Sequence, residues 1–251
     1  MTATGDTSIG GSRRDFPSTS WSLIRGAGKA HREHLERLIY LYWKPAYHYL
    51  RACGHKSVED AKDLTQDFFA RLVERKDWER LSPDRGSFRG FLKRALKNFM
   101  IDAARREQAR RPADGLFLFR FEEVRDAHPT VDPEHAFDRE WIQTVLRESI
   151  RDLQKRLETE GSSTLFDVFR LYCLADDGSG DSSETSKFIL GGSAGKTYAE
   201  VAQKLGLRES DVRKRLARCR ALLRDIVLDR IRDYSASEDE AMTEFEKIVR
   251  G

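Results

Sequence analysis

Arginine and lysine side chains are concentrated in two stretches of this chain, in numbers suited to binding a polyanion. From Lys204 to Arg224 there are eight basic and two acidic residues, a net charge of +6. From Arg89 to Arg111 there are eight basic residues against Asp102 and Glu107, again a net charge of +6. Such side chains neutralise phosphates in a salt-dependent, sequence-independent way. Two basic blocks in one chain indicate two contacts with one nucleic acid.

Residues Thr197–Arg224 have the pattern of a helix-turn-helix. Thr197 and Glu200 have the spacing of a capping box, and Gly206 provides the backbone freedom that a sharp helix exit needs. Two short helices joined in this way, the second one basic, place a recognition helix in the major groove of DNA. The residues predicted to contact DNA here are Arg208, Ser210, Arg213, Lys214, Arg215 and Arg218. The alternative is a solvated charged face on a core helix, which the agreement of cap, turn and charge disfavours.

The other basic stretch, from Ser87 to Arg106, predicts an amphipathic helix that begins near Ser87. Its apolar residues recur at helical spacing, and polar residues occupy the other positions. The residues predicted to contact nucleic acid are Lys93, Arg94, Lys97, Asn98, Asp102, Arg105 and Arg106. The basic side chains would neutralise phosphates, and the short polar groups of Asn98 and Asp102 are able to meet base edges.

An acidic face precedes this basic helix. The stretch from Ser57 to Arg75 predicts a helix with one apolar stripe, and the other face carries Asp60, Asp63, Gln66 and Asp67. Carboxylates directed at a basic partner give steering and specificity; the alternative is a surface helix with ordinary solvated acids. Thr65 is predicted to lie on the acidic face, where a phosphate would add negative charge.

Helical periodicity without persistent strand-like alternation predicts an all-α fold of two small helical domains joined by an acidic linker, the second containing the helix-turn-helix. Pro45 is expected to kink or divide the first helix. The predicted divisions are a flexible N-terminus over 1–15, a first domain over 16–111, a linker over 112–138, a second domain over 139–232 and an acidic tail over 233–251. Met242, Phe245 and Ile248 would let the tail form a helix, dock and mask DNA binding; the alternative is a solvated tail.

Several classes of site are disfavoured by the sequence. Cys53, Cys173 and Cys219 are far apart on apolar helical stripes, which predicts reduced core residues. No Cys/His set has metal-ligand spacing, no catalytic pairing is credible, and Gly191–Thr197 is a phosphate-loop pattern that lacks its first glycine. We therefore expect no cofactor and no enzymatic activity. No stretch approaches a membrane span or a signal peptide, so the expected compartment is the cytoplasm.

Three segments resemble one known family. Val58–Leu72 followed by Gly86–Glu107 resembles the promoter-melting domain of extracytoplasmic-function sigma factors. Asp15–Ile24 resembles the opening of one large bacterial subgroup of these factors, and Thr197–Arg224 resembles their upstream-promoter-reading domain. The resemblance covers roughly residues 16–111 and 139–230, with one departure at Lys62, where the family pattern has an acid.

The resemblance implies a function in transcription initiation. The helix with Asp60, Asp63, Gln66 and Asp67 would dock on the basic clamp of core RNA polymerase. The helix from Ser87 and the loop before it would capture unstacked bases of the downstream promoter element, and the helix-turn-helix would bind the upstream element. The expected partners are core RNA polymerase and promoter DNA, with an inhibitory protein or a protein kinase as candidate regulators and no membrane. The alternative is a stand-alone helix-turn-helix transcriptional regulator, which would bind duplex DNA as a dimer without polymerase.

Overall fold

The computed structural model describes residues 29–53, 57–75, 86–110, 132–174, 196–233, 235 and 237–250. These residues form eight α-helices and no strand, which confirms the predicted all-α fold. The helices are α1 (Lys29–Ala52), α2 (Val58–Arg75), α3 (Phe88–Arg110), α4 (Pro133–Thr159), α5 (Ser163–Cys173), α6 (Tyr198–Leu205), α7 (Glu209–Arg232) and α8 (Glu238–Arg250). The predicted flexible N-terminus, most of the linker and nearly all of the phosphate-loop pattern lie outside the described residues.

Helices α1 and α4 pack along each other at the centre of the molecule. On α1, Leu38, Tyr42 and Leu50 are almost completely buried, as the helical spacing of its apolar residues predicts. The ring of Tyr42 stacks on Phe137 of α4, with 6.1 Å between ring centroids. Pro45 lies inside α1 without dividing it, so the helix is continuous from Lys29 to Ala52. Tyr42, Pro45 and Ala46 are buried, and their packing stabilises the continuous helix.

Helices α2 and α3 complete the N-terminal group. Both pack on α1, and Phe68 of α2 meets Phe99 of α3 edge to face at 5.6 Å. The Ser87 hydroxyl accepts a hydrogen bond from the Gly90 N–H at 3.1 Å, which caps the start of α3 as predicted. The cap and the aromatic contact fix where the basic helix begins and which face it buries.

The first turns of α4 correct the predicted extent of the linker. Residues 133–138 are helical, because Asp132 caps the helix by accepting a hydrogen bond from the Glu134 N–H and Pro133 occupies the first turn. Phe137 is fully buried in the core. Of the two acids in these turns, Asp138 is half-buried and Glu134 is exposed, and both belong to a helix.

The C-terminal helices assemble around α7, which packs against α4, α5, α6 and α8. Arg230 of α7 forms an ion pair with Asp152 of α4. The buried apolar side chains of the described residues form one continuous cluster that includes both α1 and the C-terminal helices. The division into two domains at residue 139 remains a prediction, and the core crosses that boundary.

Candidate nucleic-acid interface

The start of α6 has the capping box that the sequence predicts. The Thr197 N–H donates to the Glu200 carboxylate at 2.6 Å, and the Glu200 N–H donates to the Thr197 hydroxyl oxygen at 3.3 Å. Hydrogen bonds from the backbone N–H and the hydroxyl of Thr197 hold the pKa of Glu200 below its usual value. The box fixes the point at which the chain enters the two-helix unit.

A tight turn joins α6 to α7. Gly206 has a φ of +65°, in the left-handed region that a Cβ disfavours. The Leu207 N–H then reaches back to the Ala202 carbonyl at 2.9 Å, which is the hydrogen bond of a Schellman ending. Val201 and Val212 are buried on the facing sides of the two helices. The α6–α7 pair thus consists of two helices joined by a tight turn, which is compatible with the predicted helix-turn-helix.

Three predicted DNA contacts lie together on one side of α7. Lys214, Arg215 and Arg218 line a cleft of about 470 Å³. Its lining also includes Gly161 and Ser162 of the turn between α4 and α5, and Thr164 and Leu165 of the first turn of α5. Lys214 and Arg218 are exposed and Arg215 is half-buried. Within the described residues none of the three has an acidic partner, so their charge is available to an external phosphate.

The other predicted contacts on α7 are placed differently. Arg213 is exposed, with its guanidinium 5.1 Å from the centroid of the Tyr198 ring. Tyr198 in turn stacks on Tyr172 of α5 at 4.7 Å, so this arginine is oriented by an aromatic pair. Arg208 donates to Asp211 at 3.0 Å and is partly neutralised, while Ser210 is exposed near the start of the helix.

On α3 most of the predicted nucleic-acid contacts form an exposed surface. The exposed side chains are those of Arg94, Lys97, Asn98, Asp102, Arg105 and Arg106. Arg105 lies 3.9 Å from the Asp102 carboxylate, and Arg106 donates to the Asp102 carbonyl oxygen at 3.1 Å. Asp102 therefore organises the basic end of the helix, besides being a polar group able to meet a base edge.

Lys93 is the exception among these predicted contacts. Its ammonium lies 2.5 Å from the Asp138 carboxylate and 3.9 Å from that of Glu134, both on α4. One turn earlier, Arg89 is buried and forms ion pairs with Asp138 and with Glu244 of α8. Arg89 was not among the predicted site residues, and its spacing in the sequence gives no sign of its burial. The basic start of α3 is thus covered by acids of the same chain.

The acidic face of α2 is accessible, as predicted. Asp60, Asp63 and Gln66 are exposed, and half-buried Asp67 forms an ion pair with Arg71 at 2.8 Å. Lys62 is exposed on the same helix. Ser57 caps the helix by accepting a hydrogen bond from the Asp60 N–H at 3.0 Å. Within the described residues, the side chains of Asp60, Asp63 and Gln66 have no charged partner, whereas Asp67 shares its charge with Arg71.

Thr65 does not lie on this acidic face. Its side chain is fully buried, and its hydroxyl donates to the Ala61 carbonyl oxygen at 2.6 Å. The interpretation of Thr65 as part of the acidic surface is therefore wrong, because the residue lies on the apolar stripe between Ala61 and Phe68. A kinase would reach this hydroxyl only if α2 opened.

The cysteines agree with the prediction of reduced core residues. All three are free and buried, and burial raises the pKa of the Cys53 and Cys219 thiols to about 12. Among the described residues no cluster of three or more His, Cys, Asp or Glu side chains is arranged to hold a metal ion. In the same part of the chain, no helix has both the length and the apolar character needed to cross a membrane.

Comparison with known proteins identifies the N-terminal group of helices. Residues 34–110, which span most of α1 and all of α2 and α3, match the family model for sigma-70 region 2. No curated protein matches the chain, and no solved structure does. The match shows a sigma-70 region 2 domain in this part of the chain, and such a domain supports a role in RNA polymerase binding and promoter recognition. The region 2 match points to a regulatory transcription factor, in line with the expected absence of enzymatic activity.

Proposed function

We propose that this protein is a sigma factor of the extracytoplasmic-function type that directs core RNA polymerase to specific promoters and helps to melt them. The observation that carries the proposal is the order of surfaces within the sigma-70 region 2 match: an exposed acidic face on α2 is followed by a basic face on α3. The α6–α7 unit supplies a second basic surface in the same chain. The cytoplasm, where polymerase and promoter meet, is the proposed compartment.

On the polymerase side, the proposed contact is the α2 face formed by Asp60, Asp63, Gln66 and Asp67. These side chains leave their polar groups on the surface while Phe68 and Leu72 anchor the helix in the core. A rigid helix that presents carboxylates gives a basic partner both orientation and electrostatic steering. The positive charge of Lys62 weakens the field locally, so the contact is centred on Asp60, Asp63 and Asp67.

On the DNA side, the two basic helices have different tasks in the proposal. Lys97, Asn98 and Arg105 on α3 would bind the backbone and unstacked bases of the downstream element, with the bases captured as single strands. Lys214, Arg215 and Arg218 on α7 would hold phosphates of the upstream element while the N-terminal residues of α7 read base edges. Binding energy at both surfaces drives the opening of the duplex.

The alternative, a stand-alone helix-turn-helix regulator, accounts for α6 and α7 but not for the region 2 match. An inhibitory protein remains a candidate regulator. Direct phosphorylation of Thr65 is disfavoured by the burial of its hydroxyl.

Co-purification of the tagged full-length chain with core RNA polymerase tests the proposal. The wild type should bind stoichiometrically, and the double variant Asp60→Arg/Asp63→Arg should lose binding, because two exposed carboxylates facing a basic surface become like charges. The matched control is Glu36→Arg/Asp239→Arg, which changes the net charge by the same amount at exposed positions on α1 and α8.

The control variant should bind as the wild type does, and all three proteins should have the same helical circular dichroism. If both double variants bind polymerase equally well, the α2 face is not the contact. If the folded wild type does not bind polymerase but binds duplex DNA as a dimer, the stand-alone regulator is the better description.

A further inference from the structure

Arg89 of α3 is enclosed by two helices that lie outside the sigma-70 region 2 match. Its guanidinium pairs with Asp138 of α4 at 2.7 Å and with Glu244 of α8. The guanidinium carbon also lies 4.4 Å from the centroid of the Trp141 ring. Only 8% of the Arg89 side chain is exposed, so no phosphate can reach it in this arrangement.

Asp138 also compensates a cation in the next turn of α3. Lys93 shares the Asp138 carboxylate with Arg89, and its ammonium lies 5.7 Å from the centroid of Phe137. By contrast, Lys97, one turn further along, is exposed and has no acidic partner among the described residues. The basic face of α3 is therefore compensated at its start and open beyond it.

The buried face of α8 packs on the core and places the Glu244 carboxylate beside the Arg89 guanidinium. Ala241 and Ile248 are buried, at spacings of three and four residues from Glu244, so all three side chains share one side of the helix. The start of α8 is fastened to α7 by an ion pair between Arg232 and Glu238 at 2.6 Å. The acidic tail is thus a docked helix whose carboxylate contacts the promoter-melting helix.

The energetics of this contact suit a reversible closure. Removing charges from water costs free energy that an ion pair recovers only when the remaining polar atoms are hydrogen-bonded. The Arg89 Nε is buried and has no hydrogen-bond partner within the described residues. A buried pair of this kind adds little net stability, so nucleic acid or polymerase can displace the acids at modest cost.

We propose that α8 is an autoinhibitory clasp: together with Asp138, Glu244 holds Arg89 and closes the start of the α3 basic face in the free protein. Release of α8 removes Glu244, one of the two carboxylates that enclose Arg89, and so adds the charge of Arg89 to the nucleic-acid surface. The inference rests on the proposed function in taking α3 as the nucleic-acid-binding helix.

The test compares Glu244→Gln with the matched control Asp239→Asn in the full-length protein. Both remove one negative charge from α8, but Asp239 is exposed and forms no ion pair within the described residues. Binding of a labelled single-stranded DNA oligonucleotide is followed by fluorescence anisotropy at low salt without polymerase. Glu244→Gln should bind about five-fold more tightly or better, the lower end of ordinary coupling between sites, and Asp239→Asn should bind almost as the wild type does.

Hydrogen exchange provides a second readout of opening. Backbone amides of α8 and of the first turns of α3 should exchange faster in Glu244→Gln than in the wild type. In Asp239→Asn their exchange rates should equal those of the wild type. If Glu244→Gln is misfolded by circular dichroism, a chain that ends at residue 236 replaces it, with the same expected gain in affinity. Equal affinity of the wild type and the folded variant, or an equal gain in both charge variants, would overturn the clasp.

Core polymerase binding by the wild type separates this inference from the proposed function. If the wild type does not bind polymerase but Glu244→Gln gains DNA affinity, the sigma function is contradicted and the clasp stands. If the wild type binds polymerase and Glu244→Gln shows neither tighter DNA binding nor faster exchange, the clasp alone is contradicted.

Discussion

Individual basic side chains in this protein differ in how far their charge is already compensated. Lys214 and Arg218 face an open cleft, Arg208 shares its charge with Asp211, and Arg89 is buried between two carboxylates. A phosphate contact releases a counterion only where the cation is free to exchange partners. The compensated residues should therefore contribute less to salt-dependent DNA binding.

At the residue scale, we predict that Lys214→Ala and Arg218→Ala each reduce the slope of log affinity against log salt by about 0.9, the value for one phosphate on duplex DNA. Arg208→Ala should change the slope less, because Asp211 already compensates that charge. Titrations of promoter DNA with the polymerase complex at several salt concentrations measure the slopes. Equal slopes for all three variants would show that the cleft does not hold phosphate.

At the scale of elements, the α6–α7 unit depends on how α6 begins and ends. The capping box satisfies two backbone N–H groups at its start, and Gly206 lets the chain turn sharply at its end. Both features are local, and both orient α7 by fixing the direction of the helix before it. Loss of either should weaken the unit without altering the basic surface itself.

We predict that Thr197→Ala lowers the free energy of unfolding by about 1 kcal/mol, the usual cost of removing a threonine cap. Denaturant unfolding followed by circular dichroism measures the change. Ser210→Ala is the control, since this exposed serine in the first turn of α7 does not cap the helix. A Thr197→Ala variant as stable as the control would contradict a stabilising role for the box.

The capping box also predicts a pH dependence. Because hydrogen bonds from Thr197 lower the pKa of Glu200 in the folded state, ionised Glu200 stabilises the fold above its ordinary pKa. This contribution is lost as the pH falls through the lowered pKa. The stability difference between the wild type and Glu200→Gln should therefore be full at neutral pH and vanish in acid. Denaturant unfolding at a series of pH values measures it, and a difference independent of pH would contradict the assignment.

At the scale of the whole molecule, the helices on the two sides of the predicted boundary share one core. Tyr42 of α1 contacts both Phe88 of α3 and Phe137 of α4, and Arg89 adds a charged contact that includes α8. A shared core of this kind couples the unfolding of the segments that contribute to it. The free protein should therefore unfold as one unit.

We predict that Leu38→Ala in α1 and Leu153→Ala in α4 each destabilise the protein by about 2–5 kcal/mol, because both leucines are almost completely buried. Each variant should shift a single calorimetric transition. Leu205→Ala, at a partly buried position, is the control and should cost less. Two separate transitions, with only one shifted by each substitution, would show that the predicted domains unfold independently.

Local patterns in the sequence determined most of the elements and the exposed part of the site. Helical periodicity predicts α2, α3, α6 and α7, and the capping residues at Ser87 and Thr197 give the starts of α3 and α6, because these interactions join residues only a few positions apart. The exposed acids of α2 and the exposed cations of α3 and α7 follow from the same periodicity. The sequence also predicted an acidic tail able to form a helix.

Tertiary structure alone decided which charges are compensated and which helices share a core. Arg89 and Glu244 are separated by more than half of the chain, so no local pattern relates them. Thr65 was assigned to the wrong face, because the acids beside it conceal its place on the apolar stripe between Ala61 and Phe68. The sequence did not predict that α4 begins as early as Pro133. Phe137 in its second turn is buried by packing on Tyr42 of α1, and spacing along α4 does not reveal that contact. Long-range packing, which spacing along the chain does not encode, separates the accessible cations from the enclosed ones.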